Sequence, residues 1–97
     1  MLIDIYTHIF PGDFFDQMSK AAPNLENIGK RMQAVVPVHN LDERFRQMDA
    51  FGEYKQLISL PNPPLEDITD VETGCLLARA ANDSMAELCA KHPDRFV

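Results

Sequence analysis

Tryptophan is absent from this 97-residue chain, cysteine occurs twice and glycine four times. Positive charge is scarce too: nine Lys and Arg stand against fifteen Asp and Glu, a formal net charge of −6. Each shortage excludes something. Lys30 and Arg31, Arg44 and Arg46, Lys91 and Arg95 are scattered along the chain. The sequence therefore lacks the basic patch that nucleic acid or an anionic membrane surface requires. No run approaches the ~20 apolar residues of a membrane-spanning helix. The amino terminus has no basic segment followed by an apolar run, so no secretion signal is expected. Cys75 and Cys89 fall in one predicted helix, where their spacing amounts to about 21 Å of rise. That is beyond disulfide reach. Neither sits in a CxxC pair or beside a histidine, which argues against a zinc or redox role. Two buried thiols in a reducing cytoplasm are expected.

What is present suits one small α/β domain. The hydrophobic share of 45% and charged share of 25% are those of a folded protein. "LIDIYT" at 2–7 reads as a strand, β-branched and aromatic. Strict alternation would place Asp4, Tyr6 and His8 in one row and Ile3, Ile5 and Thr7 on the other face. Pro11 and Gly12 break the strand, and "PGDFFDQM" begins a short helical turn. Residues 20–33 are polar and weakly patterned, an irregular excursion with some helix.

From Asn40 the signals strengthen. Asn40 and Glu43 have capping-box spacing, and Leu41, Phe45, Met48 and Phe51 recur at helical spacing before Gly52. "YKQLISL" at 54–60 is a second strand, and "PNPP" after it refuses helix. Thr69 and Glu72 have capping-box spacing again. They open a helix to about Lys91 with Leu77, Ala81, Met85 and Leu88 on one face. Pro93 ends that helix, and Phe96-Val97 looks like the first step of a third strand, as if the chain were cut there. Strands separated by helices imply βαβ units and parallel pairing.

Three stretches carry a family resemblance: "IDIYTHIFP", "LDERFRQMDAFG" with "YKQLISLPNPP", and "LARAANDSMAELCAKHPDRFV". Together they resemble the N-terminal part of the amidohydrolase superfamily, in the aminocarboxymuconate-semialdehyde decarboxylase-like branch. The resemblance implies a metal-dependent hydrolase-type (β/α)8 TIM barrel. Residues 1–97 would be a single partial barrel domain, the first quarter to third of the whole. It implies a divalent metal, zinc or alternatively manganese, bound at the C-terminal face by paired strand-one histidines and later residues. It further implies non-hydrolytic loss of CO2 from a small unsaturated or aromatic carboxylic acid, or hydrolysis of a small amide or lactone.

This chain departs from the pattern where it matters. The family's His-x-His is Tyr6-Thr7-His8 here. Residues two apart on a strand share a face, so two imidazoles there can reach one ion. A phenol with a pKa near 10 binds zinc well only when ionised. His8 is therefore the expected metal ligand, or else a histidine hydrogen-bonded at a strand end. Tyr6 is a substrate-facing phenol, a weak ligand or packing at the barrel mouth. Asn62 follows a strand end, where barrel loops meet substrate, unless "PNPP" is simply a rigid turn. Asp4, His39 and His92 are expected to be structural. No catalytic residue is assigned. The small-molecule carboxylate is the expected partner of the whole protein. The rival expectation is a non-catalytic barrel piece that associates with itself as a homo-oligomer, or with a longer barrel chain, through its open strand edges.

Overall fold

The computed structural model describes residues 1–22 and 26–97, with the backbone alone at 26–29. Its order is β1 (Leu2–His8), α1 (Phe14–Ala21), α2 (Glu26–Ala34), α3 (Val36–His39), α4 (Leu41–Met48), a 3-10 turn (Asp49–Phe51), β2 (Tyr54–Ser59), α5 (Leu65–Ile68) and α6 (Val71–Lys91). The excursion between β1 and α4 is thus more helical than its weak pattern suggests. Tertiary packing of α1 supplies what propensity does not: Phe14 and Met18 are both 2% exposed. The part of that expectation at 23–25 lies outside the described residues.

β1 and β2 pair in parallel, as strands joined by helices must. Phe96 makes a parallel bridge to Gln56 on the far side of β2. Backbone bonds from Gln56 N to Arg95 O and from Val97 N to Gln56 O, each 2.9 Å, fix it there. The expected third strand therefore begins beside β2, with β1 at the edge. These features make a mixed α/β unit with parallel strands.

One face of the sheet carries the helices. Ile9, Ile58, Met48 and Phe96 form one buried cluster. Phe10, Phe14, Met18, Leu77 and Ala81 form another. Met85 of α6 packs against both. Ala81 is 0% exposed, so α6 meets α1 at a position where only a small side chain fits. The helix face read from the sequence is the face that packs. Burying a side chain of the size of Phe14 or Met18 contributes about 1.5–3 kcal/mol.

Three local expectations need correction. Phe51, assigned to the apolar face of α4, is 62% exposed and packs at a tilt against Tyr54 instead, with ring centroids 5.3 Å apart. The helix tightens to a 3-10 turn at Asp49, and the changed pitch rotates Phe51 off the buried stripe. The N-cap of α6 is Asp70, whose carboxylate accepts from Thr73 N at 2.7 Å. Thr69 stands one residue ahead of the cap, and its hydroxyl donates to Leu65 O at 3.0 Å, closing α5. Cys75 is exposed, not buried, whereas Cys89 is half-buried. The α4 cap is as expected on one side only. Asn40 Oδ1 accepts from Glu43 N at 3.0 Å, while the Glu43 carboxylate turns to Arg46 and Gln47.

Candidate functional site: the open face of the sheet at His8

The opening strand is not regular. Asp4 pairs with Gln56 and Thr7 with Ile58, so β1 spends one residue more than β2 between those points. An extra residue in one strand reverses the alternation beyond it. Asp4 consequently shares a face with Gln56, while His8, paired with Ser59, lies on the other. The expected row of Asp4, Tyr6 and His8 is broken by this bulge, and Asp4 leaves it.

On the helix-covered face a chain of hydrogen bonds runs from a cation to an anion. Arg44 Nε donates to Gln56 Oε1 at 2.7 Å. Gln56 Nε2 donates to the Tyr54 hydroxyl at 3.1 Å, and the Tyr54 hydroxyl donates to Asp4 Oδ2 at 2.7 Å. The bonds from Tyr54 and from Tyr6 N hold the Asp4 carboxyl below its ordinary value. Burial first, then the bond to Asp4, pushes the Tyr54 phenol up, although the Gln56 bond pulls the other way. Arg44 is 4% exposed; burial lowers its pKa while Tyr54 and Asp4 oppose the shift. Arg44 Nη1 also donates to His8 O at 2.9 Å and to Pro37 O at 3.0 Å. Sequence reading missed this hub, because an arginine amid polar residues on an amphipathic helix reads as solvated. Its only sequence signal is its place on the buried stripe, one residue before Phe45 and four before Met48.

On the open face, Tyr6 is 80% exposed and His8 half-buried. Their rings meet edge to face, with centroids 5.0 Å apart and planes at 74°. His8 Nδ1 lies 3.1 Å from Ser59 Oγ, and Ser59 Oγ donates to Thr7 O at 3.0 Å. Tyr6 and His8 are thus brought together as the spacing requires. Asn62 is not brought to them. It lines a cleft of about 550 Å³ with Met18, Leu60, Leu65, Val71 and Gly74, a cleft that neither Tyr6 nor His8 borders. Ser59 was not singled out from the sequence; its position beside His8 depends on the parallel register.

Whether these residues suit a divalent ion follows from the donors present. Among the described residues, no three of His, Cys, Asp and Glu come together. His8 has a phenol and a hydroxyl for neighbours, and Asp4 is committed to the other face. The residues present do not by themselves make a metal-binding set. His39 and His92 lie apart from this face in their contacts. His39 Nε2 lies 3.0 Å from Gln33 O, and His92 packs on Phe45 with ring centroids 5.0 Å apart. Among the described residues, no helix is long and apolar enough to cross a membrane.

Parallel strands with helices on one face, and a histidine at the C-terminal end of β1, make this a mixed α/β unit. No protein-family model matches the chain. Three curated relatives share one name. The chain is 45% identical over 56 residues to gamma-resorcylate decarboxylase of Rhizobium sp. (strain MTP-10005), covering 58% of this chain and 17% of that protein. The corresponding protein of Rhizobium radiobacter is 43% identical over 56 residues, with the same coverage. That of Rhodococcus jostii (strain RHA1) is 42% identical over 55 residues, 57% of this chain and 17% of the relative. The matched stretch thus spans 17% of the length of these curated relatives.

Proposed function

We propose that this chain is the opening βα portion of a decarboxylase-like protein of the amidohydrolase superfamily, acting in the cytoplasm on a small aromatic or unsaturated carboxylic acid. The observation that carries this reading is the identity of 45% over 56 residues to a protein named for the decarboxylation of gamma-resorcylate. The position of His8 at the end of an edge strand supports it, since barrel enzymes place working groups at the C-terminal ends of strands. Tyr6 and His8 line the substrate side; Asn62 belongs to a neighbouring cleft. His8 is the strand-end imidazole that this segment offers toward zinc or manganese, and the remaining donors would come from another chain associated with it. Hydrolysis of a small amide or lactone is the less supported chemistry, because the named relatives are decarboxylases.

The test combines two readouts on the purified protein and on His8→Ala. Elemental analysis after dialysis against zinc or manganese reads metal held per chain. Release of CO2 from gamma-resorcylate reads the reaction. Metal uptake and CO2 release that both vanish in His8→Ala support the proposal; neither in the unaltered protein sinks it for this chain.

A second reading has its own observation. Ile3, Ile5 and Tyr6 on edge strand β1 are all more than half exposed. A sheet edge of this composition invites pairing. In that reading the chain is a non-catalytic piece that associates with itself or with a longer barrel chain. Sedimentation showing a monodisperse monomer at all concentrations would remove it.

A further inference from the structure

We infer that Ser59 is a positioning residue that decides which ring nitrogen of His8 is left free. The argument is one of proton counting. A serine hydroxyl has one hydrogen to donate and two lone pairs to accept with. Ser59 Oγ lies 3.0 Å from Thr7 O, and a carbonyl oxygen can only accept. The single hydroxyl proton is therefore committed to Thr7. The contact at 3.1 Å between Ser59 Oγ and His8 Nδ1 then needs a proton from the imidazole. Were the hydroxyl turned to donate to Nδ1 instead, Ser59 Oγ and Thr7 O would face each other as two acceptors at hydrogen-bond distance.

The neutral ring is thus held as the Nδ1–H tautomer, because a partner on one ring nitrogen sets the state of the other. Nε2, across the ring from that bond, keeps its lone pair. Two further contacts hold the ring in place. The Tyr6 ring packs edge to face with it, and Arg44 Nη1 fixes the backbone carbonyl of His8 at 2.9 Å. A ligand at this face meets a nitrogen lone pair with a defined direction. Ser59 touches no ligand in this account and acts only through His8. The functional weight of the inference rests on the reading of His8 as a working group; the tautomer assignment does not.

The test is imidazole nitrogen NMR on the 97-residue chain in alkaline buffer. For His8 the expected spectrum shows Nδ1 protonated and Nε2 bare. Ser59→Ala should move the ring toward the Nε2–H form or a mixture, whereas Ser59→Thr, which keeps the hydroxyl, should restore the Nδ1–H form. A merely structural serine would not shift the tautomer. An Nε2–H form in the unaltered protein, or an unchanged spectrum in a folded Ser59→Ala protein, overturns the inference. If Ser59→Ala fails to fold, the unaltered protein and Ser59→Thr decide it: both must show Nδ1–H. The functional reading fails separately, when the tautomer is as inferred and the protein neither takes up metal nor releases CO2.

Discussion

Arg44 and Asp4 are joined without touching. Three hydrogen bonds through Gln56 and Tyr54 run from the guanidinium to the carboxylate, each donor pointing the same way. The relay keeps a cation beneath α4 while its counter-charge stays near the open end of β1. Breaking its middle should be visible at its end. In Tyr54→Phe, Asp4 loses one of the two hydrogen bonds that depress its pKa, so carboxyl NMR should show it titrating at a higher pH. An unmoved Asp4 would mean that the Tyr6 backbone bond alone sets its value. The sign for stability follows. A depressed carboxylate contributes stability above its unfolded value of 3.8, lost as pH falls through the folded value. Tyr54→Phe should therefore narrow the chain's acid tolerance.

Arg44→Lys should behave as a severe substitution. Lysine cannot reproduce donors that reach Gln56 Oε1, His8 O and Pro37 O from one planar group. Leaving buried acceptors unsatisfied costs about 1–3 kcal/mol each. In a domain with about 5–15 kcal/mol to lose, that is a large share. Urea unfolding of Arg44→Lys should show a loss of at least about 2 kcal/mol. A loss below about 0.5 kcal/mol, the scale of ordinary surface substitutions, would show that water replaces the arginine there.

Gly74 offers a case where the usual rule reverses. Glycine inside a helix is about 1 kcal/mol worse than alanine, so Gly74→Ala ought to stabilise α6. A Cβ built there lies 2.8 Å from Thr69 Oγ1. That oxygen is held by its bond to Leu65 O and sits on a stiff β-branched side chain. Gly74→Ala should therefore give no gain or a loss. In a Thr69→Ala background the same change should recover about 1 kcal/mol, the ordinary preference. Equal effects in both backgrounds, read as a double-mutant cycle of thermal melts, would contradict the clash.

Glu43 ties acid stability to α4. Its bonds to Arg46, and then to Gln47, lower its pKa to about 2 from an ordinary 4.5. The contribution is complete above about 4.5 and fades as pH falls toward about 2. Glu43→Gln should be less stable than the unaltered chain at neutral pH, with the difference shrinking across that window. The pair is exposed, so the effect should be small and weaken in salt. A difference that stays constant from pH 7 to pH 2 would show that it does not depend on the Glu43 charge, and so not on the ion pair.

Much of this protein was legible in its residues. β1, β2, α4 and α6 follow from alternation, capping and 3.6-residue spacing, which are local properties of the chain. Leu77 and Ala81 are buried on α6 as their spacing requires, and Asn40 caps α4. The pairing of Tyr6 with His8 is equally local, since two residues along a strand share a face. Tertiary structure decided the rest. The bulge that removes Asp4 from that row exists only in the register between β1 and β2. Asp70, one residue after Thr69, takes the capping role by accepting from Thr73 N. Arg44 is buried because Gln56, His8 and Pro37, from three separate elements, converge on its donors. Ser59 meets His8 only because the strands run in parallel with these two residues opposite each other. A sequence fixes what each residue prefers alone; which hydrogen-bond partners it receives is set by distant segments, and the open face at His8 is made of such partners.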